Sequence, residues 1–218
     1  MRCARDASGL PTPDLDGVRA GTACPVHESL RLMRAATPGS CGREVFCREG
    51  TRQLTEILTD LTEAGGRTGD LELVAELSQR VAQLAACTLA GTAAGITRDL
   101  LREHTAEWEA HLRRHRCTSL TCRMSFTVYV DPVACTGCGD CMPACPEGAI
   151  AGGPGLIHVV DDAACTRCLA CLPSCGVAAI GKAGPVPPKL PTAPVPVGSF
   201  AAAPVGGMRR RRRSSETT

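Results

Sequence analysis

Residues 130–150 read VDPVACTGCGDCMPACPEGAI and residues 160–180 read VDDAACTRCLACLPSCGVAAI, the second repeating the first at a constant offset of 30. Each carries C-x2-C-x2-C-x3-C, so Cys135, Cys138, Cys141 and Cys145 correspond to Cys165, Cys168, Cys171 and Cys175. Three thiolates this close reach three corners of one iron–sulfur cube. The fourth points away and completes the cube of the other copy. The spacing therefore predicts one 4Fe–4S cluster on Cys135, Cys138, Cys141 and Cys175. A second is expected on Cys165, Cys168, Cys171 and Cys145. Pro146 follows the fourth cysteine of the first copy, where the second copy has Gly176. Zinc or a disulfide scaffold would be the other uses of such cysteines, but zinc favours two ligand pairs per tetrahedral site over two interlocked quartets. Clusters of this kind move electrons.

A chain of 218 residues has room for one domain of ordinary size or two small ones. With 24 basic against 22 acidic residues, its overall charge points to no polyanionic partner. Only five aromatic side chains are present (three Phe, one Trp, one Tyr), so the core must be small and aliphatic, and inorganic clusters would help to fill it. Fifteen cysteines in a small secreted chain would suggest disulfides, yet the start, MRCARDASGLPTPD, has no apolar run after its basic residues. No stretch approaches about 18 apolar residues, the length that spans a bilayer. Cysteine-rich without an export signal implies metal in a reducing cytoplasm.

The expected architecture is α followed by α+β. Residues 1–23, polar and rich in Gly, Pro and Asp, read as an irregular arm. Residues 24–116 carry helical periodicity, 117–125 form a connector, and 126–183 form the duplicated cluster module. From 184 to 218 the chain reads as a disordered Pro-rich tail ending in the run Arg209–Arg213. Within the helical region, Leu54, Ile57, Leu58 and Leu61 lie at i, i+3, i+4 and i+7 and stop at Gly65-Gly66. Asp70 is a candidate cap for a helix whose face is Leu73, Val74, Leu77, Val81 and Leu84. Thr97 is a candidate cap for another, with Leu101, His104, Trp108 and Leu112 on one side. A shorter helix over 27–36 completes a small four-helix bundle. In the cluster module FTVYV at 126–130 and LIHVV at 156–160 are expected as equivalent strands, with Gly152-Gly153-Pro154-Gly155 as a turn between the copies.

Residues 40–51 read SCGREVFCREGT, and Cys87 follows in AACTLAG. This stretch resembles the iron–sulfur domain at the end of the flavin- and NADH-binding (diaphorase) subunit of respiratory complex I, a domain also found in NAD-linked hydrogenases and formate dehydrogenases. The family pattern is S-C-G-x-C-x-x-C-R-E-G-T, with a fourth cysteine about forty residues later in a C-x-L-G context. Ser40, Cys41, Gly42, Cys47, Arg48, Glu49, Gly50 and Thr51 match it, and Cys87 sits where the last ligand belongs. ACPVHESLRLMR before the motif and ITRDLLREHTAEWEAHL after it match as well, so the resemblance covers 24–112.

One position departs. The family's second ligand falls on Glu44, a hard oxygen donor where iron–sulfur clusters normally take thiolates. Three outcomes are open: Glu44 binds the fourth iron, the site holds a three-iron or open-corner cluster, or the bundle is a scaffold without a cluster. Cys24 falls where the family often has a buried cysteine, and it reads as packing. In hydrogenase-type members the helical domain is followed by C-x4-C and a two-cluster ferredoxin module, an order repeated here by Cys117, Cys122 and the duplicated motif. With His111 and His115 just upstream, Cys117 and Cys122 form a candidate zinc site. The alternative is a pair of free thiols beside solvated histidines.

The family's flavin- and NADH-binding domain lies upstream of its helical bundle. Only about 23 residues precede Cys24, and one βαβ unit needs about 30. No G-x-G-x-x-G and no P-loop occur, so no catalytic residue is expected. His104 reads as helix packing, and His27 and His158 have no partner in sequence. The resemblance implies an iron–sulfur electron-transfer subunit. It would relay electrons between a flavoprotein that oxidises NADH and an acceptor such as a hydrogenase, a formate dehydrogenase or a quinone-linked module. The alternative is a cluster-bearing redox sensor or assembly factor without net electron flow. A third reading is the relay half of a split enzyme. The arginine run reads as a solvated tail, and nucleic-acid binding is not expected.

Overall fold

The computed structural model describes residues 6–184 and 187–200. The chain divides into two compact units, Met1–Thr127 and Val128–Thr218. The arginine run at 209–213 lies outside the described residues.

The first unit is helical: α1 (Leu15–Ala20), α2 (Pro25–Gly39), α3 (Thr51–Thr62), α4 (Asp70–Leu84), α5 (Thr88–Glu103) and α6 (Thr105–Arg114). Helix α2 starts where Cys24 caps it and Pro25 supplies a first-turn residue with no N–H to satisfy. It packs on α3 and α5, and α4 packs on α5. The predicted face of α3 is the buried one: Leu54, Leu58 and Leu61 are sealed in the core and Ile57 packs at its margin. In α4, Val74 and Val81 are buried, but Leu73 and Leu84 are exposed, which narrows the expected stripe.

Several expectations need correction. The arm at 1–23 is not irregular throughout, because Asp14 caps α1 and buries Val18 against the core. Glu28 of α2 accepts from the Asp14 N–H at 3.0 Å, and the Arg31 guanidinium donates to the Thr12 carbonyl at 2.6 Å, so the arm is tied to α2. Thr97 is no cap. It lies inside α5, where its hydroxyl donates to the Ala93 carbonyl at 3.0 Å. The helix expected from 97 to 112 is two helices, broken at His104, whose φ of −123° leaves the helical range. Trp108, the largest fully buried side chain, then points from α6 into the core. The 117–125 connector also belongs with this unit, since Cys117 and Cys122 are part of its buried core.

The chain enters the second unit along β1 (Thr127–Val130), and that unit also holds β2 (Ile150–Ala151), β3 (Val159–Val160) and β4 (Ile180–Ala183). Strand β1 pairs with β4, and β2 runs antiparallel to β3 with Ile150 opposite Val160. Its hydrogen bonds recur at the offset of 30. Asp131 N–H donates to the Ala179 carbonyl at 2.7 Å, and Asp161 N–H to the Ala149 carbonyl at 2.8 Å. Likewise Cys145 Sγ accepts from Ala149 N–H at 3.3 Å, and Cys175 Sγ from Ala179 N–H at 3.2 Å.

The tail, expected to be disordered from 184, is ordered over 187–200. Leu156 and Pro196 form an antiparallel bridge, Ile157 N–H donates to the Val195 carbonyl at 2.7 Å, and Val197 N–H donates to the Gly155 carbonyl at 3.0 Å. Proline fixes an extended φ and has no N–H, so it tolerates a bridge in which only its neighbours are bonded.

Candidate metal centres

In the cluster module the local turns place each cysteine. Asp131 and Asp161 open the two loops, their carboxylates accepting from the N–H groups of Val133 and Ala163 at 2.9 and 3.0 Å. Cys135, Cys141 and Cys171 are buried, Cys145, Cys165 and Cys175 are half-buried, and Cys138 and Cys168 are exposed. Burial pushes the Cys141 thiol up to about 11, against the pull of its own backbone N–H. The nearby thiols of Cys138, Cys135 and Cys175 add to the rise. Burial likewise raises Cys171, with Cys145, Cys165 and Cys168 acting on it. The fourth cysteine of each copy thus acts on the third of the other, Cys175 on Cys141 and Cys145 on Cys171. One apolar cavity is lined by Cys145, Cys165, Cys168 and Cys171 together with Val128 and Ile150. A quartet of thiols around a small dry space suits a cationic iron–sulfur core, which compensates thiolates that burial alone would keep protonated.

The motif resembling the diaphorase subunit is built around Cys47, which lies on a π-helical turn, Phe46–Gly50, leading into α3. Gly50 lets that turn press on α4: a Cβ there would stand 2.5 Å from Val81 Cγ2. Cys87 caps α5 next to the end of α4, and both it and Cys47 are fully buried. Burial raises the Cys47 thiol, a bond from the Cys87 backbone N–H pulls it back, and the charges of Cys87, Cys41 and Glu44 add to the rise. Ser40 donates its hydroxyl to the Cys47 carbonyl at 2.9 Å. The Glu44 carboxylate is exposed and accepts from the Ala86 N–H at 3.2 Å, one residue from Cys87. Cys41, Glu44 and Cys87 therefore all lie close enough to act on Cys47, and the carboxylate is bonded one residue from Cys87.

The third grouping differs from its expectation. Cys24, His111, Cys117 and Cys122 are buried, and their ligand atoms lie within 4.8 Å of one another. His111 Nε2 is 3.3 Å from both Cys24 Sγ and Cys122 Sγ, and those two sulfurs are 3.7 Å apart. His115 is not part of the group. It sits exposed at the end of α6 with φ 48°. Cys24, read as packing, supplies the missing ligand. His111 Nδ1 is held by the Glu107 carbonyl at 2.8 Å, while the Glu107 carboxylate accepts from Thr118 N–H and Oγ1 at 2.8 and 2.7 Å. That orients the ring and ties α6 to the loop carrying Cys117. Burial pulls His111 down, but the sulfurs of Cys117 and Cys24 outweigh it and hold the ring up at about 10. Cys117 is pushed far down by bonds from Cys122 and Cys24, and Cys122 is correspondingly pushed up. Three thiols and an imidazole in one dry pocket suit a closed tetrahedral Cys3His site.

Residues 28–111 match the model of the NADH-ubiquinone oxidoreductase-F iron–sulfur binding region, and residues 127–150 match that of a 4Fe–4S binding domain. The chain is 34% identical over 113 residues to HndC, a component of the NADP-reducing hydrogenase of Solidesulfovibrio fructosivorans, covering 52% of this chain and 23% of that protein. To the F 2 component of the NADH-quinone oxidoreductase of Rhizobium meliloti (strain 1021) it is 32% identical over 94 residues, covering 43% and 22%. The F component of the Streptomyces coelicolor NADH-quinone oxidoreductase matches at 28% over 96 residues, covering 44% and 21%. The chain therefore spans less than a quarter of the length of these curated relatives. The resemblance carried by Ser40–Thr51 and Cys87 holds, and 4Fe–4S clusters are the cofactors that both matched regions imply. Among the described residues, no helix is long and apolar enough to cross a membrane.

Proposed function

We propose that this chain is an iron–sulfur relay subunit of an NAD(P)H-linked oxidoreductase, built from a small helical bundle and an internally duplicated two-cluster ferredoxin module. The carrying observation is the placement of Cys145, the fourth cysteine of the first copy, in one cavity with Cys165, Cys168 and Cys171 of the second, while Cys175 in turn lies close enough to act on Cys141. Cys135, Cys138, Cys141 and Cys175 hold one 4Fe–4S cluster, and Cys165, Cys168, Cys171 and Cys145 hold the other. Bound there, the clusters accept and release single electrons without proton chemistry. The protein's own part is to bury or half-bury three corners of each quartet and expose one, at Cys138 and Cys168. Those exposed corners are where electrons enter and leave.

The donor is a flavoprotein that oxidises NADH or NADPH, and the acceptor is a hydrogenase, formate dehydrogenase or quinone-linked partner. Similarity of residues 28–111 to the NADH-ubiquinone oxidoreductase-F iron–sulfur region supports this placement. Cys24, His111, Cys117 and Cys122 bind zinc as a structural clamp on the helical unit. The work is done in the cytoplasm. Reconstituted chain mixed with an NADH-oxidising flavoprotein and NADH should reduce a terminal acceptor at rates far above the flavoprotein alone. Replacing Cys138 with Ala should abolish that gain, and undiminished transfer would overturn the reading.

A redox sensor without net electron flow is the second reading. Glu44, an exposed carboxylate at a ligand position, favours it, since one relay step lapses if that corner is lost. Oxidation-dependent partner binding without turnover would identify it.

A further inference from the structure

His158 is 2% exposed, and its Nδ1 stands 3.5 Å from the Sγ of Cys135. Its other ring nitrogen, Nε2, is buried with no hydrogen-bond partner among the described residues. The contact with sulfur is thus set against the cost of an orphaned buried atom. A cysteine that ligates iron is a thiolate and can only accept, so with the cluster bound the ring proton belongs on Nδ1. The seat is shaped for the ring, because a Cβ at Gly152 would run into His158 Cδ2.

The duplication supplies an internal control. Thirty residues before His158 stands Val128, and Val128 lines the cavity bounded by Cys145, Cys165, Cys168 and Cys171. One quartet therefore faces an apolar side chain where the other faces an N–H donor.

Resting on the two-cluster reading above, the geometry points to His158 as a tuning residue for the cluster of Cys135, Cys138, Cys141 and Cys175. Its Nδ1–H donates to Cys135 Sγ. Such a bond strengthens as the added electron puts charge on sulfur, so it favours the reduced state and raises the potential. No bond to iron is made or lost, and His158 only positions a proton beside a ligand.

The test is an EPR-monitored redox titration of the full chain, reconstituted anaerobically, with iron and sulfide counted for every variant. His158→Val should lower one of the two midpoint potentials by about tenfold in the one-electron equilibrium, or about 59 mV, and leave the other in place. His158→Asn, which keeps an N–H near the Nδ1 position, should recover most of that shift. Where the Val variant loses iron, pulsed EPR on the reduced wild-type chain carrying 15N-histidine decides. A weak histidine-nitrogen coupling supports the bond, and its absence overturns it. Full iron with unshifted potentials in His158→Val would overturn the role of His158 alone. A wild-type chain with no 4Fe–4S signal would overturn both this role and the cluster reading beneath it.

Discussion

Arg167 holds at φ 55° the backbone position that Gly137 holds at φ 70° thirty residues earlier. The same relation links Leu169 at 65° to Gly139 at 91°, and Ala178 at 51° to Gly148 at 61°. The first loop meets every left-handed position with glycine, whereas the second meets each with a side chain. A Cβ in that region costs about 1–2 kcal/mol per residue, so the second loop folds against strain that the first avoids.

Ala178→Gly should therefore stabilise the second loop by about 0.5–1 kcal/mol, once the greater freedom of glycine in the unfolded chain is subtracted. Slower iron loss to a chelator would register it, and faster loss would refute the strain argument. The converse substitution is harsher. At Gly137 a Cβ would stand 2.8 Å from Leu156 N and 2.9 Å from Gly155 Cα, so Gly137→Ala should cost the first cluster much of its occupancy.

The sulfurs of Cys24 and Cys122, 3.7 Å apart across 98 residues of sequence, lead to a second prediction. Purified chain should carry one zinc, measured by elemental analysis, and Cys24→Ser or His111→Ala should lose it. With free metal about a thousandfold above its Kd, binding contributes about 4 kcal/mol. Chelation should accordingly lower the unfolding midpoint of the helical unit. His115→Ala should leave zinc content unchanged, because His115 is exposed outside the group.

Much of this arrangement was legible in the sequence, and the reasons differ by site. The repeat at an offset of 30 needs no tertiary information, because three ligands of each cluster lie within seven residues. The amphipathic face of α3 is equally local. Cys24 was missed because its partners lie 87 or more residues away, and no periodicity reports a contact of that range. A signal existed, since Cys117 and Cys122 lacked thiol partners and Cys24 was left over. His111, three residues after the buried Trp108, shares its face, whereas His115 falls at the helix end. The break at His104 and the docking of the tail were hidden for a related reason. Both are decided by packing partners, against a local pattern that favours a continuous helix and a loose Pro-rich segment.

The exchanged ligands predict which cluster each cysteine serves. Cys175→Ser, although it alters the second copy, should disturb the cluster of Cys135, Cys138 and Cys141. Its EPR spectrum after dithionite reduction should match that of Cys135→Ser and differ from that of Cys145→Ser. Matching of Cys175→Ser with Cys171→Ser instead would mean that each copy holds its own cluster.

Glu44 gives the last prediction. The buried Cys87, the half-buried Cys41 and the Glu44 carboxylate all act on Cys47, and the carboxylate is held by Ala86 N–H beside Cys87. Anaerobically purified chain should then contain about twelve irons, four for each of three cubes, rather than about eight. A carboxylate is a harder and weaker donor to iron–sulfur clusters than a thiolate, so this third cluster should be the first lost to a chelator. Glu44→Cys should slow that loss and sharpen the third EPR signal, while Glu44→Ala should hasten it, and Cys87→Ala should remove the signal altogether. About eight irons in the wild-type chain, rising to about twelve only in Glu44→Cys, would mean that the helical unit serves the two-cluster module as a scaffold and that its own corner of the relay is closed.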